Sequence, residues 1–383
     1  MTDPEPAEAR WRGAAVRLLA LVARPAQRAQ GRGGIVVEAY RGYGTREEIF
    51  LIGRVFRQSH PDRNASPDDL RANLRDIARR IRRRKVVGAF VTARFGGAQA
   101  RVATDRDGYF RIHLRPRDVP SGAVAWHPVD LTLDADPPVS AQGHVFIPPA
   151  TCRFVVISDI DDTIMHTGVA NKFKMLWRLF VADAESRVAF PGAAALCRAL
   201  HAGATGVEAN PMLYVSRAPW GIYDMLGAFF RQHAIPIGPI LFLREWGLSW
   251  RHPLPRKAED HKRELIGNML ALYRELPFVL LGDSGQHDPE VYAQVVADHP
   301  GRVLAVYIRN VSRDAGRIVE IERLAAAVGA AGSSLVLAAD SAAMAKHAVG
   351  LGLIAPEGRG AVSTERASAN TIEVAAESHR VGG

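Results

Sequence analysis

The chain has 383 residues, is 48% hydrophobic and carries a formal charge of +9 at pH 7. That length suits two domains with tails, and the apolar share argues against a chain too polar to bury a core. The positive excess is clustered arginine, which points to anionic partners such as phosphate esters, lipid headgroups or nucleic acid. Two cysteines, Cys152 and Cys197, lack metal-type spacing, which fits a reducing compartment and argues against a disulfide framework. No stretch reaches the roughly 18 apolar residues of a membrane span. The apolar run Ala14–Ala23 is broken by Arg17 with no cleavage site after it, so no signal peptide is read.

In chain order, residues 7–24 form an amphipathic helix with Trp11, Ala15, Leu18, Leu19 and Val22 on one face. Such a face suits packing on the body of the protein or lying on a membrane surface. A glycine- and arginine-rich linker completes the first segment, 1–34. From Ile35 to about Pro149 the pattern is β: Ile35–Tyr40, Ile49–Val55, Val86–Thr92, an alternating Tyr109–Leu114 after the Asp105-Arg106-Asp107-Gly108 turn, Val129–Leu133, and a closing run from Gly143 to Pro148. Short strands at this spacing predict a β-sandwich-like domain over 35–150. One helix, about Pro67 to Lys85, interrupts it and holds Arg71, Arg75, Arg79, Arg80, Arg82, Arg83, Arg84 and Lys85. A solvated face explains that cluster, as does contact with an anionic lipid or nucleic acid. No aromatic residue is interleaved, so stacking on bases ranks low.

From about residue 151 the pattern becomes α/β. Strands are predicted at 153–158, 212–215, 240–243, 278–281 and 303–308, with helices at 192–200, 222–233 and 260–276 between them, then helices at 316–328 and 340–351. This alternation specifies a parallel sheet with crossovers over 151–354. The Ser-, Ala-, Gly- and Glu-rich remainder, 355–383, reads as a disordered tail.

Polar residues that carry chemistry stand where strands end. Phe154-Val155-Val156-Ile157 leads straight into Ser158-Asp159-Ile160-Asp161-Asp162-Thr163, and in open α/β sheets the carboxyl ends of strands are where ligands bind. Three acids within four residues repel one another, a crowding that a divalent metal relieves. Ser216-Arg217 follows Leu213-Tyr214-Val215. Lys262 lies early in the 260–276 helix, with Lys257 its rival. Gly282-Asp283-Ser284-Gly285-Gln286-His287-Asp288 follows Val279-Leu280-Leu281. Each has a bland alternative: a polar turn, a surface lysine, or for Asp288 the cap of a helix beginning at Pro289. Together, in this order, they are specific.

These four stretches resemble the four motifs of the haloacid dehalogenase superfamily of aspartate-nucleophile phosphatases. The strings Ser-Asp-Ile-Asp-Asp-Thr-Ile, Tyr-Val-Ser-Arg-Ala-Pro-Trp and Leu-Gly-Asp-Ser-Gly-Gln-His-Asp-Pro-Glu-Val-Tyr are similar to a narrower group, the actin-patch-type phosphatidate phosphatase catalytic domain, a relative of the lipins, over about 152–310. Tyr40-Arg41-Gly42-Tyr43-Gly44 is similar to bacterial members. The resemblance implies a Rossmann-like parallel sheet with helices on both faces. It implies Asp159 as nucleophile, Asp161 as general acid and then base, and Thr163 as a brace for their loop. It implies Ser216 as a phosphoryl ligand, with Arg217 either a phosphate contact or a structural ion partner. Lys262 would neutralise nucleophile and phosphate. Mg2+ is the implied cofactor, held by Asp159, Asp283 and the Asp161 carbonyl, with Asp288 as ligand or support. Asp162 receives no role, His166 and His287 flank the site, and Trp220, Arg244 and Trp246 are candidates for a substrate pocket.

The insertion at 165–190 occupies the position of a cap and is short, with Phe173, Leu176, Trp177 and Phe180 among Lys172, Lys174 and Arg178. That suits an interfacial face as well as core packing. The expected substrate is a phosphomonoester, above all phosphatidate or another lipid phosphate, met by a cytoplasmic enzyme at a peripheral, anionic membrane surface. Nucleic acid is not the expected partner. Two alternatives stand: a phosphatase for a soluble or nucleic-acid phosphate, and a membrane- or protein-binding module with a vestigial catalytic domain.

Overall fold

The structure is a computed structural model that describes residues 34–57, 84–120, 124–160, 163–164, 190–216, 220, 223–242 and 258–381. The amphipathic helix at 7–24, the insertion at 165–189 and the basic helix up to residue 83 lie outside the described residues, as do Asp161, Asp162, His166, Arg217, Arg244, Trp246 and Lys257. Two compact units are present, one built on strands β1–β9 and the other on a parallel sheet.

Over residues 34–149 the described elements of the first unit are strands: β1 (Ile35–Ala39), β2 (Gly42–Gly44), β3 (Ile49–Arg57), β4 (Arg84–Lys85), β5 (Phe90–Phe95), β6 (Ala98–Ala103), β7 (Tyr109–Leu114), β8 (Trp126–Leu133) and β9 (Val139–Phe146). The expected sandwich of two sheets is instead one mixed sheet, ordered β1-β3-β2-β9-β8-β5-β6, with β4 and β7 also paired to β3. β3 is the hub. Its residues 49–54 pair with β7 while 53–57 pair with β1, so nine residues serve both edges of one strand. Inward residues of β1, β3, β5, β7, β8 and β9 share a single core, including Val37, Leu51, Val91, Phe110, Leu131 and Val145. One sheet reaches that arrangement by curling over itself. The buried-exposed alternation along β8 is what a half-buried strand requires. Arg84 and Lys85 were expected to finish a helix; they pair with Phe56 and Arg57 of β3 instead.

The second unit is α/β. Its strands are β10 (Val155–Asp159), β11 (Met212–Ser216), β12 (Ile240–Phe242), β13 (Phe278–Asp283), β14 (Val303–Arg309) and β15 (Leu335–Ala338). All pair in parallel in the order β12-β11-β10-β13-β14-β15. Flanking helices are α1 (Ala193–Ala202), α2 (Tyr223–Gln232), α3 (Ala258–Leu272), α4 (Asp288–Asp298), α5 (Ala315–Ala330), α6 (Ser341–Gly350) and α7 (Pro356–Val381). β10, β11 and β13 are buried along their whole length, which accounts for their continuous apolar runs: a parallel sheet covered by helices has no solvent face for polar residues. The chain leaves β10 toward β11 and β12 on one side and returns to β13, β14 and β15 on the other. The reversal point therefore lies between β10 and β13, where the crevice of such sheets opens.

The expectation of a disordered tail is corrected: 356–381 is helix α7. Val362 is buried, and the Glu365 carboxylate accepts from the Ala195 N–H at 3.2 Å and from Arg198 at 2.6 Å. The small residues that read as disorder allow close approach, since a Cβ on Gly358 would lie 2.9 Å from the Ala199 Cβ. β15 was not anticipated; it adds an edge to β14 through Leu335–Ala338. Both cysteines are free thiols.

Candidate active site

Asp159 ends β10 and Asp283 ends β13, the two strands that flank the reversal point. Ser158 is level with Leu281, so Asp159 sits beside Gly282, one residue short of Asp283. On the other side Asp159 is level with Val215, and Ser216 ends β11 one step further on. Backbone register alone thus gathers three predicted residues at one edge of the sheet.

The side chains close that gap. Lys262, on α3, donates from Nζ to Asp159 Oδ1 at 3.0 Å and to Asp288 Oδ1 at 2.6 Å. All three groups are 1–2% exposed. Burial alone would lower the lysine's pKa, but Asp159 and Asp288, with Tyr292 at its flank, hold it well above the ordinary value, so the ammonium stays charged. Asp288 is the first residue of α4, with His287 as N-cap, so its carboxylate is not spent capping that helix. Its second oxygen accepts the Asp283 N–H at 3.3 Å. The approach depends on Gly282: a Cβ there would lie 2.7 Å from the Asp288 Cβ and 2.8 Å from Tyr292 Cε2.

Asp159, Asp283 and Asp288 each offer an oxygen, and these atoms lie within 4.8 Å of one another. A buried set of three hard carboxylate oxygens is the donor chemistry that suits Mg2+ and not thiolate- or imidazole-seeking metals. The residues therefore fit a hard divalent cation.

Two residues that sequence reasoning passed over belong to the site. Gln286 donates from Nε2 to Asp283 Oδ2 at 2.9 Å and reaches Asp159 Oδ2 at 3.5 Å. It stood inside a recognised string, and its position three residues past Asp283 was the available signal. Arg309, at the end of β14, is buried; its Nε donates to the Thr163 carbonyl at 3.3 Å, its Nη2 donates to Ser341 Oγ at 2.7 Å, and its guanidinium lies over the Phe190 ring. No motif marked it.

Other expectations change. The Thr163 hydroxyl is buried and makes no hydrogen bond among the described residues. Among the described residues this segment is held through its backbone, with Arg309 donating to the Thr163 carbonyl and the Ile164 N–H to the Ile160 carbonyl. His287 faces Glu259 at 3.6 Å and is exposed. Trp220 is buried, with its ring centroid 4.5 Å from that of Phe242.

The family described as phosphatidate phosphatase APP1, catalytic domain, matches residues 154–310. Residues 154–310 are similar to that family. The chain is 34% identical over 155 residues to phosphatidate phosphatase APP1 of Saccharomyces cerevisiae, a match covering 40% of this chain and 25% of that protein. It is 26% identical over 159 residues to an uncharacterized protein of Schizosaccharomyces pombe, covering 42% and 25%. The match therefore spans a quarter of the length of these curated relatives. Among solved structures, a carbohydrate acetylesterase from Xanthomonas citri superposes with a TM-score of 0.25 at 11% identity, over 75% of this chain and 72% of that one. So slight a likeness carries no argument. The APP1-type stretch contains Asp159, Ser216, Lys262, Asp283, Gln286 and Asp288, and it ends just after Arg309.

Proposed function

We propose that this chain is a Mg2+-dependent phosphatase of the haloacid dehalogenase type that hydrolyses phosphatidate or a related lipid phosphate through an aspartyl-phosphate. The observation that carries the reading is the convergence of Asp159, Lys262, Asp283 and Asp288 at the reversal point of a parallel sheet. The family match supports a lipid phosphate as substrate.

Unaided phosphate monoesters hydrolyse extremely slowly, and positioning and charge placement supply the acceleration. Lys262 donates to Asp159 Oδ1 and Gln286 reaches Oδ2, which fixes the carboxylate whose oxygen attacks phosphorus. As that oxygen bonds to phosphorus, the ester P–O bond breaks and the leaving oxygen takes a proton from Asp161. Asp161 then accepts a proton from the water that attacks phosphorus, and Asp159 is released with inorganic phosphate. Ser216 and Arg217 hold the phosphoryl oxygens. Mg2+, held by Asp159, Asp283, Asp288 and the Asp161 carbonyl, would neutralise charge on the transferring phosphoryl group. Action at an anionic, cytoplasmic membrane surface belongs to the same proposal. No described helix is long and apolar enough to cross a membrane.

The test is phosphate release from phosphatidate in mixed micelles beside a panel of soluble phosphomonoesters, with Mg2+ or with EDTA. Lipid-selective release, lost with EDTA and in Asp159→Asn, is expected. Full turnover under either condition refutes the mechanism. Equal turnover of soluble esters with none of lipid refutes the substrate class.

A further inference from the structure

We propose that Arg317, which lies beyond the matched stretch, is a positioning residue that sets the Asp283 carboxylate for its cation. The proposal rests on reading Asp159, Asp283 and Asp288 as a divalent-cation site. Arg317 is in the first turn of α5, where its guanidinium is pinned by Glu290 of α4, with Nη2 donating to Glu290 Oε2 at 3.0 Å, and by Glu320 at 2.7 Å. So held, it grips the loop after β13. Its Nε donates to the Ser284 carbonyl at 3.1 Å and its Nη2 to the Gln286 carbonyl at 2.8 Å.

The consequence follows from peptide geometry. The Ser284 carbonyl and the Gly285 N–H belong to one planar trans unit and point in opposite directions. Arg317 draws the carbonyl one way, so the N–H must aim the other way, and there it donates to Asp283 Oδ1 at 2.7 Å. A guanidinium on the carbonyl also polarises the peptide and strengthens its N–H as a donor. The second carboxylate oxygen accepts from Gln286 Nε2 at 2.9 Å, and Arg317 holds the carbonyl of that same residue. Both Asp283 oxygens are therefore oriented by donors on a segment fixed from behind by one side chain. Other contacts on this loop do not replace it. The Ser284 hydroxyl accepts from the Val311 and Ser312 N–H groups, and the Ser284 N–H donates to the Arg309 carbonyl, which leaves the 284–285 carbonyl to Arg317.

Outer-shell partners of metal ligands typically contribute about 10–100-fold to affinity. Arg317→Lys keeps the charge beside Glu290 but cannot span two carbonyls with a planar fork. The experiment is a titration of the full chain with Mn2+ alone, following the electron paramagnetic resonance signal of the free ion, with circular dichroism to verify folding. Arg302→Lys is the matched control: its Nη2 donates to the carbonyls of Leu270, Tyr273 and Leu276, at the opposite end of β14. The expected result is Mn2+ binding at least about 10-fold weaker in Arg317→Lys and unchanged in Arg302→Lys. Unchanged binding in Arg317→Lys, or an equal loss in both variants, overturns the proposal while leaving the cation site standing. A wild-type chain that binds no Mn2+ overturns the site and the proposal together. Should Arg317→Lys fail to fold, Glu290→Gln carries the test, since it loosens the carboxylate that aims the guanidinium; wild-type affinity there overturns the proposal.

Discussion

Replacing Lys262 with Met is the most informative single change. The methionine fills most of the same space but removes an ammonium that touches two carboxylates, at 3.0 and 2.6 Å, in a site where all three groups are buried. Removing one partner of a buried ion pair costs about 3–5 kcal/mol, because the remaining charges lose their compensation without regaining water. For a unit of this size each kcal/mol lowers the melting temperature by about 2–4 °C, which gives a fall of about 6–20 °C. The assay is calorimetric unfolding in EDTA, followed by the same scan with Mg2+. Phosphate release should also fall by at least about 100-fold, as expected when a preorganised charge at the reacting centre is lost. A melting temperature in EDTA equal to that of the wild type would refute the reasoning, because it would mean that the two contacts carry no net stabilisation.

Three further outcomes follow from the packing. Gly282→Ala forces a methyl group against Asp288 and Tyr292 and should cost about 1–3 kcal/mol by overpacking, read as a lower melting temperature together with weaker Mn2+ binding; unchanged binding would show that Asp288 does not depend on that space. Glu365→Ala removes the acceptor for the Ala195 N–H and Arg198, costs about 0.5–1.5 kcal/mol, and should speed proteolytic release of α7; unchanged cleavage would sink the docking argument. Burial holds His233 and His347 below the ordinary value of 6.5, with Glu365 opposing the effect at His233. The folded chain then takes up these protons at lower pH than the unfolded chain, so the stabilisation is complete above that ordinary value and is lost as pH falls through the folded values. Melting temperature should drop between about pH 7 and pH 5, less steeply in a His233→Asn, His347→Gln chain; identical slopes would refute the assignment.

The parallel sheet and its acids were legible because burial on both faces writes continuous apolar runs that end abruptly in polar residues, as at Ile157-Ser158-Asp159 and Leu281-Gly282-Asp283. Lys262 and Asp288 were readable only as members of a set, since alone either is an ordinary helix residue. Three things escaped for physical reasons. The single curled sheet of β1–β9 was hidden because a strand such as β3, serving different partners along its length, has the same alternation as a sandwich strand. Helix α7 was hidden because its docking relies on Val362 and Glu365 among small residues, a composition shared with unstructured chains. Arg317 was hidden because it acts on backbone carbonyls, and carbonyl positions leave no trace in residue identity.

The edge strand β15 has a practical bearing on where this protein can be cut. A fragment ended at residue 310 would keep every carboxylate of the site, yet it would strip the partner from β14 along Val306–Arg309 and leave a raw row of amides and carbonyls open to other chains. The same cut would take Ser341 away from Arg309, Glu365 away from the start of α1, and Arg317 away from the loop after β13. A piece cut to the stretch that resembles its relatives would therefore forfeit contacts by which the following segment holds both the sheet and the site.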